Sequence, residues 1–164
     1  MLLAGFVFLH FMGTIRSVLA GATSPGRGSE QLARVAFGGA LTGMAGIAIA
    51  SVTLAAASTN GADVNPVVSK AVATASGGPF LVAAMGFAAF LMAAALLTLR
   101  TGVFARWTGI VALIGAICFL ITFLTVIDGT TDGSVFGYAF FPAILSLVIW
   151  AVATSVARYR AVAT

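Results

Sequence analysis

The chain has 164 residues, of which 61% are hydrophobic and only 7% are charged, and its mean hydropathy is +1.15. So few charged residues cannot cover the surface of a water-soluble globular domain, which excludes that class and indicates a protein embedded in a lipid bilayer. The net charge of +4 comes mainly from arginines spread along the chain. They form no basic stripe with interleaved aromatic residues, and we therefore expect no nucleic-acid partner.

The apolar stretches predict an all-α protein, a five-span transmembrane helical bundle that forms a single domain over residues 1–164. An α-helix rises about 1.5 Å per residue, so about 20 residues cross the hydrocarbon core of a bilayer. The predicted helices, first to fifth, cover residues 1–20, 35–57, 80–99, 107–127 and 136–157.

Turn-forming residues separate the first three predicted helices. The segment Gly21–Gln31 (GATSPGRGSEQ) predicts a polar loop, and Ser58–Gly61 (STNG) predicts the end of the second helix. Residues 67–75 alternate between apolar and small side chains, which indicates a short helix at the membrane surface. Gly77–Pro79 then predicts a break before the third helix.

The last two predicted helices are joined to their neighbours by short segments. Thr101–Arg106 predicts a tight turn, and Trp107 beside Arg106 is typical of the aromatic belt at headgroup depth. The sequence Asp128–Ser134 (DGTTDGS) predicts the turn before the fifth helix. Pro142 is expected in the first turn of the embedded part of that helix, where its missing N–H costs little.

Basic residues alternate between the connections and predict the orientation. Arginines cluster around the first connection, the third connection and the C-terminal end: Arg16, Arg27, Arg34, Arg100, Arg106, Arg158 and Arg160. The acidic residues of the second and fourth connections are accompanied by a single lysine: Asp63, Lys70, Asp128 and Asp132. Cytoplasmic loops collect Lys and Arg, so the N-terminus is predicted outside and the C-terminus inside, with the arginines facing anionic lipid headgroups. The chain begins at the outer edge of its first helix, which leaves open an additional helix upstream.

Small residues recur every fourth position in the second predicted helix. Gly39 and Gly43 form one series, and Gly38, Thr42 and Gly46 form another. Such spacing lines one face of a helix and lets another backbone approach closely. Two interpretations remain open. The face packs against another helix of the same bundle, or it binds a second copy of the chain or a partner membrane subunit.

A few polar side chains fall at mid-membrane depth and predict a polar pocket. His10 is the only ionisable residue near the centre of a predicted span, and such residues are candidates for function. Cys118 and Ser146 lie at a similar depth, and Thr122 is one turn from Cys118. The alternative is that His10 merely hydrogen-bonds a nearby carbonyl or hydroxyl group, without any ligand.

Motifs for cofactors and catalysis are not found in the sequence. One histidine cannot supply the three or four ligands of a metal site, and the DGTTDGS turn lacks the acidic residue that ends a calcium loop. No Lys-Ser/Thr pair follows Gly38–Gly43 as a phosphate-binding loop requires, and a lone Cys118 cannot form an internal disulfide. We therefore predict no cofactor, no metal and no enzymatic activity.

One hairpin carries a resemblance to a known group of proteins. The segment Leu99–Leu120 (LRTGVFARWTGIVALIGAICFL) resembles uncharacterised multi-pass membrane proteins of actinobacteria. The residues that match are Arg100, Gly102, Val103, Arg106, Trp107 and Gly109. The resemblance implies a helical membrane fold in a bacterial cytoplasmic membrane, and it implies no catalytic residue.

Two classes of function are compatible with these features. The first is a non-enzymatic membrane protein that binds partner helices, as a subunit or accessory factor. The second is a small carrier or ligand-binding bundle that uses the polar pocket around His10. A closed core of small residues would favour the first class, and a cavity that reaches His10 would favour the second.

Overall fold

A computed structural model of the chain describes residues 10–15, 17, 27–59, 66–128 and 137–163. These residues are almost entirely α-helical, and none of them lies in a β-strand. Residues 10–15 belong to the first helix, α1, whose ends lie outside the described residues. The other helices are α2 (Arg27–Thr59), α3 (Pro66–Thr101), α4 (Arg106–Asp128) and α5 (Phe140–Ala163), and a short 3-10 turn at Gly137–Ala139 precedes α5.

Four of these helices are long and apolar enough to cross a bilayer. The candidate spans are Ser29–Ala56, Lys70–Thr101, Arg106–Leu124 and Phe140–Arg160. The predicted all-α bundle of membrane-spanning helices is therefore confirmed for α2 to α5. The first predicted span lies largely outside the residues that the structure describes.

Helix α2 begins earlier than the sequence predicted. The C-terminal part of the predicted loop is helical from Arg27 onward, so the prediction that Gly21–Gln31 is all loop was wrong for residues 27–31. Glu30 lies in the first turn of the helix, where a negative charge is favourable, and it pairs with Arg34 one turn later at 2.6 Å. These local interactions support helix in a segment that its glycines and serines had marked as a loop.

Helix α3 runs without interruption through the predicted break. It extends from Pro66 to Thr101 with Pro79 inside it, so the separate surface helix predicted at residues 67–75 is the first part of α3. Proline is favourable at a helix start, which suits Pro66. Pro79 removes only one backbone hydrogen bond, and its carbonyl oxygen packs closely against Gly46 of α2. This contact is a reason for the helix to continue.

The prediction for the fourth helix agrees with the structure, whereas the fifth helix, predicted at residues 136–157, begins at Phe140 and ends at Ala163. Helix α4 matches its predicted bounds to within one residue at each end. Pro142 is the third residue of α5, in its first turn as predicted. The turn between α3 and α4 is closed by Gly102, which has a φ of 66° and donates its N–H to the carbonyl of Thr98 at 3.0 Å. This left-handed cap lets α4 fold back antiparallel to α3.

The contacts between α3 and its neighbours define the register of the bundle. Gly39 of α2 faces Phe90, whereas Gly46, further along α2, faces Ala83, so α2 and α3 are antiparallel. Helices α3 and α5 are parallel instead, because two ring pairs join them in the same order along both helices. The centroids of Phe80 and Phe140 lie 6.5 Å apart, and those of Phe90 and Trp150 lie 5.1 Å apart.

The core of the bundle is built around α3. In the apolar stretch of α3, 61% of the residues are buried, compared with 33% in that of α2, 33% in that of α4 and 22% in that of α5. Alanines supply most of the buried positions, and a few large side chains fill the rest. Helix α1 joins this core through Met12 and Ile15, which are buried, and through Phe11, which packs against Trp150.

Candidate functional site

Two of the predicted packing glycines place the backbone of α2 against the backbone of α3. A Cβ atom on Gly39 would lie 2.6 Å from the amide nitrogen of Phe90 and 2.7 Å from the carbonyl oxygen of Gly86. A Cβ atom on Gly46 would lie 2.6 Å from the nitrogen of Ala83 and 2.6 Å from the carbonyl oxygen of Pro79. Side chains never approach backbone atoms so closely, so only glycine fits at Gly39 and Gly46.

Gly43, the third predicted glycine, faces a side chain rather than a backbone. A Cβ atom there would lie 2.9 Å from the ring of Phe87. Gly86 of α3 lies opposite, and a Cβ atom on it would meet the nitrogen of Gly43 and the carbonyl oxygen of Gly39. The sequence reasoning missed Gly86, although its position among the alanines of α3 was a readable signal for close packing.

The structure decides how the glycine face of α2 is used within this chain. Gly39, Gly43 and Gly46 all contact α3, which is the intramolecular interpretation. A second copy or a partner subunit could reach this face only by displacing α3. The second series divides. Gly46 belongs to the covered face, whereas a Cβ atom on Gly38 would meet no described atom of another helix within 4 Å, and Thr42 is exposed.

His10 does not enter the core of the bundle. Its side chain is exposed, while Met12 and Ile15 form the buried side of α1. Its backbone carbonyl accepts a hydrogen bond from the Thr14 hydroxyl at 3.1 Å. Among the described residues, no hydrogen bond joins the His10 side chain to Ser146, and the pocket predicted around His10 therefore lacks its central residue.

The other three predicted pocket residues lie at or beside the α4–α5 interface. Ser146 of α5 is buried, and its Cβ atom would be 2.8 Å from a Cβ atom on Gly115 of α4. Cys118 is half-buried one turn beyond Gly115. Thr122 follows on the same side of α4 and donates its hydroxyl to the Cys118 carbonyl at 2.9 Å. At Gly115 the absence of a side chain lets Ser146 approach the α4 backbone closely.

Two buried polar atoms were not anticipated from the sequence. The hydroxyl of Thr98 and the indole N–H of Trp150 are fully buried and have no hydrogen-bond partner among the described residues. By contrast, the buried Thr154 donates its hydroxyl to the carbonyl of Trp150 at 2.8 Å. An unpaired polar group inside an apolar core costs free energy, so Thr98 and Trp150 are sites where packing has prevailed over hydrogen bonding.

The described residues contain no group of three or more His, Cys, Asp or Glu side chains that could hold a metal ion. No protein-family model, no curated protein and no solved structure matches the chain. The resemblance of the α3–α4 hairpin to actinobacterial membrane proteins stays a prediction.

Proposed function

We propose that this chain is a non-enzymatic, multi-pass protein of a bacterial cytoplasmic membrane that acts by binding a partner membrane protein. The observation that supports this proposal is the closed packing of its centre. Between α2 and α3 the backbones themselves are in contact at Gly39 and Gly46, which leaves no space for a solute between these helices. A carrier needs a path between its helices, whereas a partner-binding subunit needs a rigid bundle.

The surface for a partner is the part of the bundle that its own helices leave uncovered. Helix α5 is the most exposed span, and α2 also turns apolar residues outward. On α2, Gly38 and Thr42 lie next to each other on the exposed surface, beside Leu41. A partner helix can approach a backbone most closely where the side chains are this small, so we assign the contact to this part of α2.

Site-specific photocrosslinking in native membranes tests the assignment. A photoreactive residue at Leu41, on the outward side of α2, should form an adduct of defined mass with the partner. The same residue at Ile114, which is exposed on α4, should react with lipid only. Adducts of equal yield at both positions, or at neither, would contradict the proposal.

A pair of matched variants sharpens this test. Gly38→Leu should abolish the adduct at Leu41, because the added side chain keeps the partner backbone away. Gly77→Leu is the control, since a Cβ atom on Gly77 would also meet no described atom of another helix within 4 Å, but Gly77 lies on α3. Both variants should keep the wild-type melting temperature. Loss of the adduct in both would show that the effect of Gly38→Leu is not local.

The proposed orientation places the arginine-rich ends of the helices in the cytoplasm. Single cysteines at Ser29 and Ser134, in a Cys118→Ser background, report on it. An impermeant thiol reagent added outside intact cells should label the cysteine at Ser134 and spare the one at Ser29. The reverse labelling pattern would show that the bundle has the opposite orientation in the membrane. Equal labelling of both cysteines would contradict the proposed topology.

A further inference from the structure

Arginines of three helices lie at the same end of the bundle. Arg100 lies in the last turn of α3, and Arg106 is the first residue of α4 across the short turn. Arg158 and Arg160 lie near the end of α5, which runs parallel to α3. The register set by Phe90 and Trp150 places Arg160 level with Arg100. We call Arg100, Arg106 and Arg158 the arginine cluster.

The cluster is short of negative charge. Arg100 and Arg106 are exposed, and Arg158 is half-buried. In the described part of the chain, none of these three forms an ion pair with a carboxylate. The one acidic side chain described, that of Glu30, is bonded to Arg34. Positive charge that no described carboxylate neutralises, as at Arg100, Arg106 and Arg158, attracts an external anion.

The surroundings of the cluster indicate where that anion lies. Trp107 follows Arg106 and is 52% exposed, and Tyr159 lies between the two arginines of α5 and is 77% exposed. Tryptophan and tyrosine prefer the headgroup region of a bilayer, where the ring is half in hydrocarbon and its polar edge is hydrated. The cluster therefore lies at the depth of the lipid phosphates.

Apolar side chains continue the surface toward the membrane centre. Exposed apolar residues lie within one helical turn of the arginines on each of the three helices: Leu99 of α3, Ile110 of α4 and Val156 of α5. Acyl chains can lie against these residues while the phosphate meets the guanidinium groups. A free phosphate ion would use only the arginines, so this combination of charge and apolar surface fits a whole phospholipid better.

We propose that the arginine cluster binds the headgroup phosphate of an anionic phospholipid. A planar guanidinium group donates two parallel hydrogen bonds to phosphate oxygens, and two or more such groups hold one phosphate in a defined position. The turn between α3 and α4 is already fixed by the Gly102 N–H bonded to Thr98 and by the Thr101 hydroxyl bonded to Leu97 at 2.7 Å. Lipid binding therefore costs little conformational entropy of the backbone in this turn.

Lipid-dependent thermal unfolding of the full chain tests the proposal. Detergent-purified protein is titrated with phosphatidylglycerol, with phosphatidylcholine, or with inorganic phosphate. The melting temperature should rise in a saturable way with phosphatidylglycerol only, and less at high salt because ions screen the arginines. An equal rise with phosphatidylcholine, an equal rise with inorganic phosphate, or no rise with any of the three would overturn it.

Variants locate the site. Arg106→Gln and Arg158→Gln should each weaken the apparent affinity for phosphatidylglycerol about fivefold, as expected for about 1 kcal/mol per basic residue. Lys70→Gln removes the same charge from the opposite end of the bundle, and Arg34→Gln removes an arginine that is already paired. Both controls should titrate like the wild type. Equal weakening in Lys70→Gln would show a response to net charge alone and would contradict the site.

This test is independent of partner binding. The lipid is added to the purified chain, and the Gly38→Leu variant should respond to it as the wild type does. Loss of the photocrosslink together with normal lipid titration would separate the two proposals.

Discussion

Helices α2 and α5 both pack against α3, but they do so by different means. Helix α2 meets α3 through glycines, with backbone atoms in contact at Gly39 and Gly46. Helix α5 meets α3 through aromatic rings, with Trp150 packed edge-on against Phe90. Most of the remaining surface of α5 is exposed, whereas α3 is mostly buried.

The difference shows two ways to hold helices together where the hydrophobic effect gives no help. Lipid tails are as apolar as the side chains, so helix association depends on close van der Waals contact. Glycines provide it by removing side chains along a whole face, which fixes the helix at several points. Large rings provide it between α3 and α5, at Trp150 and at Phe140, while α4 packs closely against another side of α5 at Ser146.

The largest effect is expected at the largest ring in the contact between α3 and α5. Trp150→Ala should lower the free energy of unfolding by about 3–5 kcal/mol, because a fully buried ring is removed from between Phe90 and Phe11. Ile149→Ala is the matched control, since Ile149 directly precedes Trp150 in α5 and is exposed. Unfolding in detergent, followed by circular dichroism, measures both. Similar losses in the two variants would contradict the assignment of this stabilisation to the buried ring of Trp150.

The glycine face predicts a smaller but sharper contrast between adjacent residues. Gly39→Ala should destabilise by about 3 kcal/mol, the upper end for overpacking, because the nearest atoms belong to the α3 backbone. Gly38→Ala, one residue earlier, meets open space and should be neutral or stabilise by up to about 1 kcal/mol through helix propensity. An equal change of melting temperature in Gly39→Ala and Gly38→Ala would contradict this prediction.

Gly43 lies between these extremes. Gly43→Ala should cost about 1 kcal/mol, the lower end for overpacking, because its neighbour is the ring of Phe87, which can shift as a backbone cannot. Adding Phe87→Leu should recover part of this loss by making room. A double-mutant cycle measures the coupling, and additive effects would show that the ring is not what limits Gly43.

The smallest effect concerns hydroxyl groups in the core. Thr98→Val should stabilise the protein by about 1 kcal/mol, because it replaces an unpaired buried hydroxyl with a methyl group of similar size. Thr154→Val should instead be neutral or slightly destabilising, because it removes a hydroxyl bonded to the Trp150 carbonyl. In the same detergent, the melting temperature of Thr98→Val should rise, whereas that of Thr154→Val should fall slightly or stay unchanged.

Much of the fold could be read from the sequence because hydropathy reports burial in lipid directly. Helix α4, apolar throughout and bounded by Arg106 and Asp128, was predicted almost to the residue. The break at Gly77–Pro79 was predicted wrongly. Local propensity marks a proline as a helix end, but propensity contains nothing about the contact between Pro79 and Gly46 that the folded chain makes.

The candidate site was only partly predictable, for a geometric reason. Spacing identified Gly39, Gly43 and Gly46 as candidates for helix packing in two series, but a single sequence does not say which series is covered or by which helix. Depth grouped His10 with Ser146, yet depth says nothing about direction around the helix axis, and His10 points outward. The unpaired indole of Trp150 had no sequence signal at all, since it depends on how three helices meet.

The length of α3 has a consequence for hydrogen exchange. Its 36 residues extend about 54 Å, whereas about 20 residues, from Arg100 back to Phe80, already cross the hydrocarbon core. Residues 66–78 therefore stand beyond it, on the face opposite the arginine cluster. Pro79 has no N–H to offer the carbonyl of Ala75, so water can take that position. We expect the amides of residues 67–78 to exchange with deuterium much faster than those of residues 83–97, with the boundary at Pro79.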